Sequence, residues 1–512
     1  MTHKILVQCP SFKKIRSDNL FYADKTEYIY NLVSDSQPKL LCRPFGFGKT
    51  LLIDTLEELF NGQRELFAGL WIDSSDYQFI KHPIIRLNLG FAEPLNSEEL
   101  WTQIVNVLQN VAKSEGLPIV HLNPHLPFED LIFNLYRKYN PRDPKTEGEE
   151  PNGDPGGVKV VVLIDDYDAP ILNLLAEPAK AFSIQKNLFS LYRSFQNLEK
   201  YCRFILLTGQ TNLGSCCDGV GLSYASDISY QAKYAGLCGF TQAETDQLIA
   251  DQFPSLAPAL TMRNQFKPGQ TMADLKDLIA TWYDGFIFDG STIFDDKTKD
   301  KITRVMCPYS ILSFFAKQTF DLYWLYAQND DFLKGVIAQK PERFIGDDFS
   351  SYSKLALCHA ENPPMGPLLF QTGYLTLKEV SLSHGLMSYG FKPPNLEISL
   401  GFRVAILETL FNLTTIEEIE HTQFKIQKSL ASHDQVDWEE AFALAVARLT
   451  FRPPRPGDFF YRLVFQLFIY CLGFEVDPED PANHGRLELV KETFAAKKNR
   501  AGHPPQFEPF LP

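Results

Sequence analysis

The stretch that decides the fold is KLLCRPFGFGKTLLIDTLEELF, residues 39–60. Its first four residues form a short apolar run, followed by a turn carrying Gly46 and Gly48. Leu51, Leu52, Thr55, Leu56, Leu59 and Phe60 then recur near helical spacing. Strand, glycine turn and helix are the context a phosphate-binding turn needs. Backbone N–H groups and the helix N-terminus can then face phosphate oxygens. In that reading Lys49 neutralises the outer phosphates and the Thr50 hydroxyl ligates Mg²⁺. The full pattern G-x-x-x-x-G-K-[ST] places a glycine where this chain has Arg43. The alternative is an ordinary strand–helix turn with an exposed lysine.

The second informative stretch is VKVVVLIDDYDAP, residues 158–170. Val158 to Ile164 is nearly all β-branched, as expected of a strand buried on both faces of a parallel sheet. It delivers Asp165, Asp166 and Asp168 at its carboxyl end, the edge where ligands bind in doubly wound sheets. Three carboxylates so close repel one another, and a cation accounts for them. Asp165 would hold Mg²⁺, and Asp166 would polarise the attacking water. The alternative is a solvated turn in which Asp168 or a neighbour caps the next helix. A further buried strand, Phe204 to Leu207, runs into Thr208-Gly209-Gln210-Thr211-Asn212, read either as polar residues that sense a terminal phosphate or as a simple turn.

Strands alternate with helices up to about residue 240, which predicts an α/β fold with a parallel sheet flanked by helices. Ile84 to Leu89 reads as a strand, and Ser97–Val111 and Pro127–Tyr139 as helices. Residues 12–36 read as a short turn and a helix. Residues 140–157, NPRDPKTEGEEPNGDPGG, read as a flexible surface insertion. Beyond 240, helices are expected at 241–252, 272–283, 308–319, 402–413 and 437–449. Short strands are expected within 366–380 and 391–401 and at Phe474–Val476. The chain has 512 residues, enough for about three domains.

Composition narrows the classes. Hydrophobic residues at 45% and charged residues at 22% permit a core and exclude global disorder. The 41 phenylalanines predict an aromatic-rich interior. Net charge of −14 argues against non-specific coating of nucleic acid or anionic membrane. Nine scattered cysteines without a CxxC pair predict free thiols, no zinc site and a cytoplasmic setting. MTHKILVQCPSFKKIR has no long apolar run, so no secretory leader is expected. The most apolar segment, Phe459 to Phe474, is interrupted by Arg462 and Gln466, so no membrane span is expected.

Together these segments resemble the predicted AAA-ATPase-like proteins of the P-loop NTPase class, often joined to a C-terminal PD-(D/E)XK nuclease-like domain. The resemblance runs from Phe12-Lys13-Lys14-Ile15-Arg16 through Tyr22-Ala23-Asp24-Lys25-Thr26 to Arg43-Pro44 and Phe47-Gly48-Lys49-Thr50. It continues through Leu163 to Pro170, Leu207-Thr208-Gly209, Gly239-Phe240-Thr241, Trp282 to Phe286 and Gln371 to Leu375. The family also has Arg-Pro where the first glycine would stand. It usually carries two arginines at the positions of Phe45 and Gly46, and Glu where this chain has Asp166.

The resemblance implies an ATPase-like domain over 10–240, a helical, winged-helix-like region over 241–400 and a degenerate nuclease-like region over 401–512. It implies ATP and Mg²⁺ as cofactors. Arg43, Gly46, Gly48, Lys49, Thr50 and Thr208 would bind nucleotide, Thr50 and Asp165 the metal, and Asp166 would be catalytic. In the last region Asp458 and Gly485-Arg486-Leu487-Glu488 resemble half of a nuclease site. No apolar strand presenting Glu-x-Lys follows, and Lys491-Glu492 has the reverse order. The expected function is slow Mg-dependent ATP hydrolysis or a nucleotide-gated switch. The alternatives are a non-catalytic interaction protein and, last, a nucleic-acid-processing nuclease. Partners are nucleotide, with a second copy or another protein allowed; nucleic acid rests on the cluster Lys497, Lys498 and Arg500, which reads better as a solvated tail.

Overall fold

The computed structural model describes residues 4–9, 11–90, 97–117, 127–141, 157–175, 177–193, 195–213, 222, 224–294, 298, 301–328, 330–339, 341, 355, 357, 363–383, 385–431, 443–451 and 458–473. The chain divides into two compact units. The first is Met1–Trp324 with Phe349–Glu397, and the second is Leu325–Asp348 with Ile398–Pro512.

The first unit is built on a five-stranded sheet. Its strands are β1 (Lys39–Cys42), β2 (Ile84–Asn88), β3 (Val160–Asp165), β4 (Cys202–Gly209) and β5 (Ser226–Asp227). They lie in the order β2-β3-β4-β1-β5, and every pairing is parallel. Val160 to Ile164 are all fully buried, which is why β3 needs no polar alternation. The registers Leu41 with Thr208, Ile164 with Leu207 and Asn88 with Asp165 bring the carboxyl ends of β1 to β4 to one edge.

Helices flank the sheet: α1 (Phe12–Ser17), α2 (Thr26–Val33), α3 (Lys49–Phe60), α4 (Ser97–Ser114), α5 (Pro127–Tyr139), α6 (Ala169–Leu172), α7 (Pro178–Arg193) and α8 (Phe195–Leu198). Most of the stripe expected on α3 is inward, with Leu52, Thr55, Leu56, Leu59 and Phe60 buried; Leu51 is half-buried, and Ile53, outside that pattern, is buried. The segment read as a turn before α2 is itself helical. Ser11 Oγ accepts from the Lys14 amide and caps α1, and Phe12 and Ile15 are buried. The two-residue β5 was not anticipated. A strand that short has no periodicity, and only its pairing with Lys39 and Leu40 defines it.

A helical region follows the sheet, with α9 (Gln242–Met262), α10 (Met272–Tyr283) and α11 (Pro308–Lys317). Capping boxes start α9 at Thr241 and α10 at Thr271. The expectation for 241–252 stops too early. The helix continues through Pro254 and Pro258, with Leu256 and Leu260 buried on its inner face. Leu248, Leu275, Ile279, Phe314 and Phe320 share one core, and the rings of Phe314 and Phe320 stand 4.5 Å apart, as the phenylalanine count predicts.

Two strand expectations need correction. Met365–Thr372 is a helix, ended by Gly373 at φ +97°, a left-handed position that favours glycine. Only then does the strand Thr376–Ser383 begin, pairing antiparallel with the strand Leu386–Lys392 to make a small sheet. The chain over 391–401 leaves the second of these strands at Lys392 and enters the helix Leu396–Phe411 after Pro393-Pro394. In the second unit, Phe411 and Phe468 pack with ring centroids 4.8 Å apart. There, Gln423 Nε2 donates to the carbonyl of Leu472 at 2.8 Å.

Residues 142–156 of the insertion, the start of the 437–449 helix, the strand at 474–476 and the segment from Gly485 onward lie outside the described residues. Among the described residues no helix is long and apolar enough to cross a membrane, and Cys9, Cys42, Cys202, Cys238, Cys307 and Cys471 are free thiols.

Candidate functional site

The turn after β1 holds its shape through two left-handed glycines, Gly46 at φ +79° and Gly48 at φ +90°. A Cβ at Gly46 would meet Tyr309 Cβ at 3.0 Å and Cys307 Sγ at 3.1 Å, so space as well as backbone conformation favours glycine. At Gly48 nothing lies within 4 Å, and the constraint is conformational alone. Gly48 is the N-cap of α3, and its carbonyl accepts from the Leu52 amide at 2.9 Å.

Lys49 is not the exposed lysine of the alternative reading; it is 6% exposed. Its Nζ donates to the carbonyls of Arg43 at 2.9 Å and Pro44 at 3.2 Å. The same ammonium stands 3.9 Å from Asp166 Oδ1. Thr50, the second residue of α3, is partly exposed beside it.

Arg43 is placed elsewhere than the turn's inner face. Its guanidinium is fully buried and donates to the carbonyls of Cys42, Ser229 and Tyr234 at 2.6 to 3.0 Å, with its centre 4.2 Å from the Phe288 ring. Its Nε has no hydrogen-bond partner. Burial pulls its pKa below the usual arginine value.

The acidic strand end is not a solvated turn. Asp165 is fully buried; Oδ1 accepts the Thr208 hydroxyl at 2.6 Å, and Oδ2 has no partner. Asp168 occupies the N-cap position of α6 without capping it. Its carboxylate instead accepts from the amides of Gln210 and Thr211 and from the Thr211 hydroxyl, the last two at 2.6 Å. That ties the end of β4 to the turn after β3. Burial raises the Asp168 pKa against those hydrogen bonds.

Asp166, between them, adopts φ +50°, uncommon for a residue with a Cβ. Opposite lies Gly90, where a Cβ would approach Asp166 Oδ2 to 2.6 Å. Burial pushes the Asp166 pKa up to about 6; the Lys49 ammonium opposes this, while Asp165 and Asp168 add to it. Tyr167, next along, is fully buried and donates its hydroxyl to the Thr211 carbonyl at 2.7 Å, fixing the turn from behind.

The fold thus gathers Lys49, Asp165, Asp166 and Thr208 at one sheet edge, with Gly46, Gly48 and Thr50 in the adjoining turn, and directs the Arg43 side chain into the protein. Several of the contacts that hold the site had no sequence signal. Gln371 Oε1 accepts from the Asn212 amide at 2.6 Å, and Asn212 Nδ2 donates to Asp227 at 2.6 Å, linking the end of β4 to β5 and a distant helix. Trp324, Cys307 and Tyr309 reach the turn across more than 250 positions, beyond any spacing rule.

Comparison with known proteins places the N-terminal part. Residues 7–215 match the family described as "AAA-ATPase_like: Predicted AAA-ATPase", a P-loop NTPase family. The match spans both the glycine turn and the acidic strand end, and does not reach the segment read as nuclease-like. The chain is 26% identical over 499 residues to the "Uncharacterized protein in vnfD 5′region" of Azotobacter chroococcum mcd 1, across 95% of this chain and 86% of that one. No solved structure matches.

Proposed function

We propose that the sheet edge at residues 43–50 and 165–208 binds ATP with Mg²⁺, and that the protein is a slow ATPase or a nucleotide-gated switch. The observation that carries the reading is the bare Oδ2 of buried Asp165. A buried carboxylate oxygen left without a donor is costly, and a cation resolves that cost. Among the described residues no cluster of three acidic, histidine or cysteine side chains forms a metal cage. That suits Mg²⁺, which takes one or two protein oxygens and leaves the rest to phosphate and water. Asp165 and Thr50 would hold it, and it would supply charge neutralisation at the transferring phosphate.

The roles of the other groups follow from their placement. Lys49 is a buried ammonium inside the turn, positioned to exchange its two carbonyl partners for phosphate oxygens. Thr208 orients Asp165. Asp166, as carboxylate, would orient and deprotonate a water attacking in line. Arg43 braces the turn from within instead of contacting phosphate. Residues 10–240 would form the nucleotide domain. The non-catalytic reading draws support from the shorter Asp166 where the resembling family keeps Glu.

The test is calorimetric titration of ATP and MgCl₂ into purified protein, followed by phosphate release on the same sample. Binding with release supports the ATPase, and binding without release supports the switch. Absence of binding at millimolar ATP overturns both.

A further inference from the structure

Three successive carbonyls of the glycine turn are tied down from outside. The Phe45 carbonyl accepts from the indole Nε1–H of Trp324 at 2.9 Å. The Gly46 carbonyl accepts from the Tyr309 amide at 3.3 Å and from Cys307 Sγ at 3.5 Å. The Phe47 carbonyl accepts from the Gly239 amide at 3.2 Å. The carbonyls of Arg43 and Pro44 point the other way, to Lys49.

In a planar trans peptide the C=O and the following N–H point in opposite directions. Carbonyls of 45, 46 and 47 held against the outer scaffold therefore turn the amides of Gly46, Phe47 and Gly48 to the opposite side. Successive amides facing one way form an anion-binding nest. The nest is made by its outer anchors as much as by its glycines.

Trp324 is the most elaborately held of those anchors. It is fully buried. Its own amide donates to Glu397 Oε1 at 2.7 Å, and Glu397 Oε2 accepts from the Ser310 hydroxyl at 2.8 Å. Ser310 adjoins Tyr309, the anchor of the next carbonyl. Gly373 closes the ring: a Cβ there would meet Pro44 Cβ at 2.8 Å and Trp324 Cζ2 at 2.9 Å, and the Tyr374 ring lies 5.1 Å from the indole. A side chain at 373 would push between the turn and its anchor.

We propose that Trp324 is a positioning residue for polyphosphate binding: its indole N–H fixes the Phe45 carbonyl and so aims the Gly46 amide at the phosphate. The inference rests on the nucleotide reading above. Glu397 acts through Trp324, by holding its backbone.

The test replaces Trp324 with its benzothiophene analogue, which keeps the shape of the ring and removes the N–H, alongside Trp324→Phe. Affinities for Mg-ATP and for inorganic tripolyphosphate are measured on each protein after near-UV circular dichroism shows it folded. Loss of one neutral hydrogen bond corresponds to about three- to tenfold weaker binding. That loss is expected for both ligands, because the nest faces phosphate and not the base. Hydrogen exchange should accelerate at residues 45–48 and stay unchanged in β3 and α7. Glu397→Leu should weaken binding in the same way, with Glu397→Gln restoring it through its amide oxygen. Folded variants with lowered melting temperature but wild-type affinity would make Trp324 a packing residue and overturn the proposal. Wild-type protein that binds neither ligand removes the nucleotide reading and this inference with it.

Discussion

Lys49 Nζ stands 3.9 Å from Asp166 Oδ1 while it donates to two carbonyls of its own turn. The ammonium and the carboxylate come from α3 and from the end of β3, more than a hundred residues apart, and only the sheet register joins them. Removing the two groups should therefore have different effects. Lys49→Ala should abolish ATP binding. On the proposed mechanism, Asp166→Asn should leave the dissociation constant within about threefold and eliminate phosphate release, since it removes only the group assigned to the attacking water. Retained affinity in Lys49→Ala would count against the site.

The raised Asp166 pKa sets a pH profile. A water-activating carboxylate must be deprotonated, and Mg²⁺ at the adjoining Asp165 would favour the charged form, so turnover should rise with pH and level off by about 6. The stability effect has the opposite sign. An acid whose folded pKa is raised binds more protons in the native than in the unfolded state between its ordinary value and about 6. Its contribution to stability therefore declines as pH rises through that window and is constant above it. Urea unfolding between pH 4 and 7 should show a steeper decline in wild type than in Asp166→Asn, since Glu397 and Asp168, also raised by burial, contribute to both.

Thr208→Val keeps the side-chain shape and deletes the donor to Asp165 Oδ1. Both oxygens of a fully buried carboxylate would then lack a protein donor. A loss of about 1–3 kcal/mol in the magnesium-free protein is expected, together with partial recovery on adding Mg²⁺. Equal loss with and without the metal would argue that Asp165 is not its ligand.

Arg43 offers the cleanest separation of structural from binding roles. Its guanidinium serves the carbonyls of Cys42, Ser229 and Tyr234. Arg43→Met would leave those carbonyls without their donor and should cost about 2–4 kcal/mol in unfolding free energy. Arg43→Lys should recover little, because one ammonium cannot reproduce the planar fork. Calorimetric melting temperatures test this. A variant of unchanged stability that lost only ATP affinity would place the guanidinium on phosphate.

Legibility in the sequence followed the range of the interaction. The apolar run at Val160–Ile164 and the stripe on α3 are local periodicities, and both stand where their patterns put them. The turn and the acidic strand end were readable for the same reason. Residues 366–380 misled because Leu368, Leu369 and Phe370 are buried on every side, and an all-buried helix has no polar face to give its period away. The alternative in which Asp168 caps the next helix fails because its partners, Gln210 and Thr211, are more than forty positions downstream. Trp324, Cys307 and Tyr309, outer anchors of the turn, were beyond sequence reasoning, being single contacts with no repeat.

The order of the strands also sets a timetable. β1 is made by residue 42, yet its neighbours in the sheet are β4 and β5, at 202–209 and 226–227. The turn beyond it waits further, for Tyr309, Trp324 and Gly373. At about 5–20 residues per second of synthesis, the interval between residue 50 and residue 373 is on the order of half a minute. Until β4 and β5 have been made, by residue 227, the glycine turn hangs on a strand with no partner on either side. The emerging β1, meanwhile, presents two open edges, each free to pair with a wrong neighbour until β4 and β5 arrive.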